Sequence, residues 1–195
     1  MKIYKIVLTG GPCAGKTTAI NEVRKFLVNK GFNVLSVNET ATEMINGGIT
    51  PQNVGQIVFQ KNLLELQLKK EEVFMNSALN FKKDTVLILD RGAFDGKAYL
   101  TENEFNQILN EFNLDEKSLL NSYDAVIFLD TAADNTGDYT VANNSARMES
   151  EKEAIEINLK TYNVWTNHHN FHKIKNEIDF NEKIFNLLNL IDIII

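Results

Sequence analysis

The stretch Ile6-Val7-Leu8-Thr9-Gly10-Gly11-Pro12-Cys13-Ala14-Gly15-Lys16-Thr17-Thr18 decides the fold. The β-branched, mostly apolar run from Ile3 to Leu8 predicts a buried strand. Thr17 to Lys30 predicts a helix with Ile20, Val23, Phe26 and Leu27 on one face, closed by Gly31. Between them, Gly10 through Gly15-Lys16-Thr17 meets the pattern G-x-x-x-x-G-K-[ST], and the strand before and helix after supply the context that makes it a phosphate-binding loop. Glycines let the backbone curl so that successive N–H groups point inward at phosphate oxygens. The helix N-terminus adds its positive dipole end. Gly10, Gly11, Pro12, Cys13, Ala14, Gly15, Lys16, Thr17 and Thr18 are therefore assigned to a nucleotide, with Lys16 reaching the β- and γ-phosphates and the Thr17 hydroxyl available to Mg²⁺. The competing reading is a plain glycine turn with an exposed Lys16; motif and context together favour the phosphate loop.

Further strands are expected at Phe32 to Val37, Thr85 to Leu89, Ala125 to Leu129 and Phe171 to Lys175. Helices are expected at Ala41 to Ile45, in one long run from Asn53 to Leu79, and at Asp95 to Leu100, Glu102 to Leu109, Glu116 to Leu120, Glu151 to His168 and Asn181 to Leu190. In the long run, Val54, Ile57, Val58, Leu64, Leu68 and Phe74 roughly follow the helical period. Strands alternating with helices imply a parallel sheet covered on both faces. Such sheets bind ligands beyond the carboxyl ends of their strands, so the polar residues there carry the chemistry.

Val86-Leu87-Ile88-Leu89-Asp90 ends an apolar strand on a carboxylate, placed to hold Mg²⁺ directly or through water beside the phosphate loop. Arg91 follows, as a clamp on a phosphate or substrate hydroxyl, or as half of a structural salt bridge. Asp95, four residues on, can pair with it or cap the next helix. Glu39 ends the second strand, either as a general base or positioner for an acceptor hydroxyl, or as a cap on the following helix. Thr131 to Ser150 is polar and holds Arg147, which reads as a charge-neutralising arginine on a lid or as part of a solvated loop. His168, His169 and His172 make a poor metal set, because the adjacent pair points to different sides of a helix and no cysteine joins them. Trp165 and Phe171 are expected in the core.

The chain has 195 residues, enough for one sizeable core, and is read as a single domain over 1–195. Its net charge of −6 argues against a general grip on nucleic acid. No apolar run approaches the ~20 residues that span a bilayer, no basic cluster accompanies the greasy C-terminus, and no secretory signal precedes the first strand. A cytoplasmic protein without stable membrane association is expected. Cys13 is its one cysteine, so an internal disulfide is impossible.

Together with the loop, the blocks Asn38-Glu39-Thr40-Ala41-Thr42, Asp90-Arg91-Gly92-Ala93-Phe94-Asp95-Gly96-Lys97-Ala98-Tyr99, Thr131-Ala132-Ala133-Asp134 and Asn143-Asn144-Ser145-Ala146-Arg147-Met148-Glu149 resemble the AAA-like NadR-type ATP/GTPase family, which is related to ribosylnicotinamide kinase. The likeness runs from Lys5 to about Leu190. It implies a three-layer α/β P-loop NTPase fold, nucleoside-kinase-like, with a five-stranded parallel sheet. It also implies ATP or GTP on Gly10 to Thr18, and Mg²⁺ near Thr17 and Asp90.

Two functions compete. The first is an ATP- and Mg²⁺-dependent kinase acting on a small nucleoside-like hydroxyl acceptor, with Lys16, Glu39, Asp90, Arg91 and Arg147 as its catalytic set. The second is a nucleotide-dependent ATPase or GTPase switch acting on a protein partner. The placement of Glu39 and Arg91, facing an acceptor rather than the nucleotide, favours the kinase. Asn29-Lys30-Gly31-Phe32 is not the guanine-reading Asn-Lys-x-Asp of switch GTPases.

Overall fold

A computed structural model describes residues 1–131, 151–177 and 179–195 of the protein. The chain runs β1 (Ile3–Thr9), α1 (Lys16–Asn29), β2 (Asn33–Val37), α2 (Thr40–Asn46), α3 (Pro51–Val54), α4 (Gln56–Ala78), β3 (Thr85–Asp90), a 3₁₀ turn (Asp95–Tyr99), α5 (Glu102–Glu111), α6 (Glu116–Leu120), β4 (Ala125–Leu129), α7 (Glu151–Trp165), β5 (Phe171–Ile174) and α8 (Phe180–Ile194). The five strands form one parallel sheet in the order β2-β3-β1-β4-β5, flanked by helices. This is the three-layer α/β architecture expected from the alternating pattern.

Strand alternation builds the two flanking layers. Ile6 and Leu8 of β1 join Val23, Leu27, Leu187 and Ile191 beneath α1 and α8. Val7, between them, faces the opposite layer with Leu64, Phe94, Phe105 and Trp165. The apolar C-terminus is thus largely accounted for as α8 packing on the sheet, and Ile195 is tied back where its carbonyl accepts from Tyr4 Oη at 2.5 Å. Among the described residues no helix is long and apolar enough to cross a membrane.

The expected long helix is two. Gly55 sits at φ 84°, ψ 150°, a region open essentially only to glycine, and it separates α3 from α4. The face of α4 also differs from expectation. Ile57 and Val58 are about half exposed, at 46% and 48%. The buried face carries Phe59, Gln60, Leu64, Gln67, Glu71 and Ala78. Three of those six are polar, which an apolar-period count cannot see.

Candidate functional site

Register brings the strand ends together. Leu8 lies beside Asp90, and Thr9 beside Phe128, so the loop that leaves β1 emerges between the ends of β3 and β4. Its first residue, Gly10, has φ 147°, and a Cβ there would lie 2.2 Å from the Leu129 carbonyl oxygen. No other residue fits that approach. Cys13 and Gly15 also take positive φ, 57° and 79°, as the chain coils into α1.

The loop's carbonyls are engaged by the surrounding protein. Thr131 Oγ1 donates to Pro12 O at 2.7 Å, and Lys183 Nζ to Ala14 O at 3.0 Å. Asn158 Oδ1 accepts from Gly11 N at 3.0 Å, and its Nδ2 donates to Asp130 Oδ1 at 3.1 Å. Lys16, nearly fully buried, folds back so that Nζ donates to Gly10 O and Gly11 O at 3.3 and 3.2 Å. Helix α1 has no side-chain cap and no acidic residue in its first turn, and Thr17 and Thr18 are exposed there. An uncapped N-terminus of this length with glycine-rich backbone before it suits an anion.

Asp90 sits partly buried at the end of β3, and its Oδ1 is buried with no hydrogen-bond partner. Burial raises its pKa, Lys16 and Arg91 oppose that, and Glu39 and Asp95 reinforce it. A buried carboxylate oxygen left unpaired beside a threonine-bearing phosphate loop is the donor chemistry a hard divalent cation takes, so the residues present fit Mg²⁺.

Arg91 takes φ 71°, strained for a residue with a side chain. Its backbone N–H donates to Leu8 O at 3.0 Å. Nε donates to Glu39 Oε1 at 2.5 Å and Nη1 to Asp95 Oδ1 at 3.0 Å. Burial works against the guanidinium charge, but Glu39 and Asp95 outweigh it and hold the pKa well above its ordinary value. Glu39 does not cap α2: its side chain makes no cap hydrogen bond, and Oε2 accepts from Thr42 Oγ1 at 2.6 Å. Asp95 is saturated, its Oδ1 also accepting from Thr9 at 2.5 Å and its Oδ2 from Gly92 N and Trp165 Nε1 at 2.9 and 3.2 Å.

Beside Arg91 lies a pocket of about 440 Å³, open solvent at its mouth included. Leu63, Leu64, Leu100, Phe105 and Ile108 supply apolar wall, while Gln60, Gln67, Arg91 and Asp95 supply polar groups. The structure therefore brings Lys16, Thr17, Glu39, Asp90 and Arg91 to one edge of the sheet. Arg147 lies outside the described residues, as does the block from Ala132 to Glu149.

Comparisons with known proteins show the family and the fold. A family model described as an AAA domain matches residues 5–183. The chain belongs to that AAA-domain family. Its fold matches deoxyadenosine kinase from M. mycoides with bound dATP at TM-score 0.64 and 18% identity, covering 97% of this chain and 99% of that one. The same kinase with products dCMP and dCDP matches at TM-score 0.62 and 17% identity, over 96% and 98% of the chains. Thymidylate kinase from Ehrlichia chaffeensis matches at TM-score 0.67 and 13% identity, over 98% and 100%. No curated protein is a significant sequence match. This member of the family is thus a P-loop nucleotide-binding domain whose fold resembles those of nucleoside and nucleotide kinases.

Several residues around this AAA-domain site were not visible in the sequence reading. Asn158 and Lys183 come to the loop from 147 and 169 residues away, to Gly11 N and Ala14 O respectively. Nothing local in the sequence marks them. Gln60 and Gln67 did leave a signal, as polar residues recurring seven apart on the buried face of α4. Trp165 is fully buried, as expected, at 5.3 Å from Phe94 between ring centroids. Phe171 packs on Tyr162, with ring centroids 5.4 Å apart. His168 has both ring nitrogens engaged by backbone, Nε2 with Tyr123 O and Nδ1 with Asn170 N, and His172 Nε2 pairs with Asn170 Oδ1.

Proposed function

We propose that this protein is an ATP- and Mg²⁺-dependent kinase that moves the γ-phosphoryl group to a hydroxyl of a small nucleoside-like acceptor. The observation that supports this is the pocket that opens at Arg91, separate from the phosphate loop yet sharing the same sheet edge. A nucleotide hydrolase has no need of a second walled pocket beside its phosphates.

In this reading the backbone N–H groups of Gly10 to Thr18 cradle the phosphates and Lys16 swings from its loop carbonyls to the β- and γ-phosphates. Thr17 and Asp90 would hold Mg²⁺, which would supply charge neutralisation for the phosphates. Glu39 orients the acceptor hydroxyl and takes its proton. Arg91, aimed by Glu39 and Asp95, meets the negative charge that gathers on the transferring group. Arg147, which lies outside the described residues, is kept in the proposed catalytic set as a second cation.

The test is an acceptor panel of nucleosides with Mg²⁺-ATP, read as ADP formation. At least one acceptor should raise turnover well above the acceptor-free rate, and Glu39→Gln should lower that stimulated rate by about 10²–10⁴-fold while ATP binding persists. ATP binding with no acceptor-stimulated turnover across the panel would sink the kinase reading.

A further inference from the structure

The peptide that joins Ala14 to Gly15 is held from behind by α8 at two points. Phe180, the first residue of α8, lies against Gly15, where a Cβ would come within 2.6 Å of Phe180 Cε2. One turn later, Lys183 Nζ donates to Ala14 O at 3.0 Å. The same ammonium donates to Asp130 O at 2.6 Å and to Asn176 Oδ1 at 3.4 Å. An ammonium has three donors, so all are spent, on two main-chain carbonyls and one side-chain amide. Lys183 is only 2% exposed.

Those three acceptors are neutral. The carboxylates that act on Lys183 are those of Asp130 and Glu177, and among the described residues neither forms an ion pair with it. Asp130 is committed elsewhere, its Oδ2 to Lys173 Nζ at 2.7 Å and its Oδ1 to Asn158 Nδ2 at 3.1 Å. From the α1 side comes a second buried cation, Lys16, turned onto Gly10 O and Gly11 O. Burying a cation without a paired carboxylate is costly, and burial holds the Lys183 pKa down to about 8. Two buried ammonium groups thus converge on one loop, and the first turn of α1 offers no acidic residue to balance them. That excess of positive charge suits an anion on the open side of the loop.

We infer that Lys183 is a positioning residue for the nucleotide's phosphates, acting through the Ala14–Gly15 peptide from the side of the loop away from the ligand. A trans peptide directs its C=O and its N–H to opposite sides. With Ala14 O drawn to Lys183, the Gly15 N–H is turned the other way, toward the phosphates. Thr131 does the same for the peptide two before it: its hydroxyl donates to Pro12 O at 2.7 Å, which turns the Cys13 N–H. Lys183 adds charge to orientation. A cation on the carbonyl polarises the N–H of the same peptide and raises the positive potential in the loop. This inference rests on nucleotide binding at the loop, which the proposed kinase shares, and not on phosphoryl transfer.

Binding measured without acceptor or turnover tests it. ADP and GDP are titrated calorimetrically against the full chain, and the tighter of the two is carried through. An anion bound at the loop raises the Lys183 pKa, so wild-type affinity should fall as pH rises through about 8. Titrations between pH about 8 and about 9.5, in buffers of different ionisation enthalpy, should show proton uptake on binding. At pH about 7.5, Lys183→Met should bind about 10- to 100-fold more weakly, the worth of a charge-assisted hydrogen bond, and the proton uptake should disappear. The two affinities should converge toward pH about 10. Lys183→Gln keeps a donor without the charge and should lose the proton uptake as well. Cys13 is common to all three proteins and drops out of the comparison. Neither nucleotide binding, wild-type binding without proton uptake, proton uptake that persists in the variants, or wild-type affinity in both variants would overturn the inference. The wild-type profile decides even where a variant fails to fold. A failed acceptor panel would sink the kinase reading and leave this one standing.

Discussion

Arg91 Nε and Glu39 Oε1 lie 2.5 Å apart, which locks the residue after β3, a pocket-lining residue, to the turn between β2 and α2. Each partner is held from behind, Arg91 by Asp95 and Glu39 by Thr42. The geometry depends on a planar fork. Lysine keeps the charge but not the two divergent donors. Arg91→Lys should therefore lower acceptor-stimulated turnover by about 10²–10³-fold, with nucleotide affinity retained. Turnover within a few-fold of wild type would show that only the charge at position 91 counts.

Asp90 gives a stability test that runs against the activity test. Burial raises its folded-state pKa above the unfolded value. The sign for such a carboxyl is that its stabilising contribution is present below the unfolded pKa and is lost as pH rises through the folded one. At neutral pH without Mg²⁺, the ionised group is therefore a cost. Asp90→Asn should raise the melting temperature of the nucleotide-free protein by a few degrees, a margin that widens from the acid range to neutrality, and should abolish the Mg²⁺ response of ATP binding. A lower melting temperature in the variant would contradict this account of the site.

Lys183 predicts a pH dependence at the other end. Burial lowers its pKa from 10.5 to about 8, against the opposing charges of Asp130 and Glu177. Between these two values the unfolded chain holds the proton and the folded chain does not, so this group makes stability rise with pH across that window. Below the window both states are protonated and the contribution is constant. The stability of wild type minus that of Lys183→Met should climb from pH about 8 to 10.5, measured by urea unfolding. A flat difference would mean that Lys183 is not held in its buried position between Ala14 O and Asp130 O.

Trp165 couples the core to the site. Its Nε1 supplies one of the two bonds to Asp95 Oδ2. Trp165→Phe keeps most of the packing and removes that donor. The expected cost is about 1–3 kcal/mol for the under-paired carboxylate. Because Asp95 also holds Arg91, acceptor-stimulated turnover should fall more than ATP affinity does. Equal losses in both would place the effect in general packing instead.

The loop and the sheet were legible because each rests on local pattern. The strand before Gly10, the helix after Thr17 and the apolar runs ending at Asp90 and Leu129 are written in consecutive residues. The break at Gly55 was not, since a lone glycine within a helical pattern does not reveal the φ of 84° it adopts. Glu39, Asp90 and Arg91 were singled out because strand ends point at ligands in such sheets. Asn158 and Lys183 were missed because helix register alone delivers them, across more than a hundred residues. Gln60 was missed because counting apolar positions along α4 selects Ile57 and Val58, which prove half exposed.

The central claim is that the phosphate loop and the Arg91 pocket are two halves of one transfer site. A crystal structure with Mg²⁺ and a non-hydrolysable ATP analogue tests it most directly. The γ-phosphate should lie over Lys16 and point at the Glu39–Arg91 pair, leaving room for an acceptor oxygen about 3–3.5 Å from phosphorus. A γ-phosphate turned away from Glu39 and Arg91, with protein filling the space between, would contradict the claim.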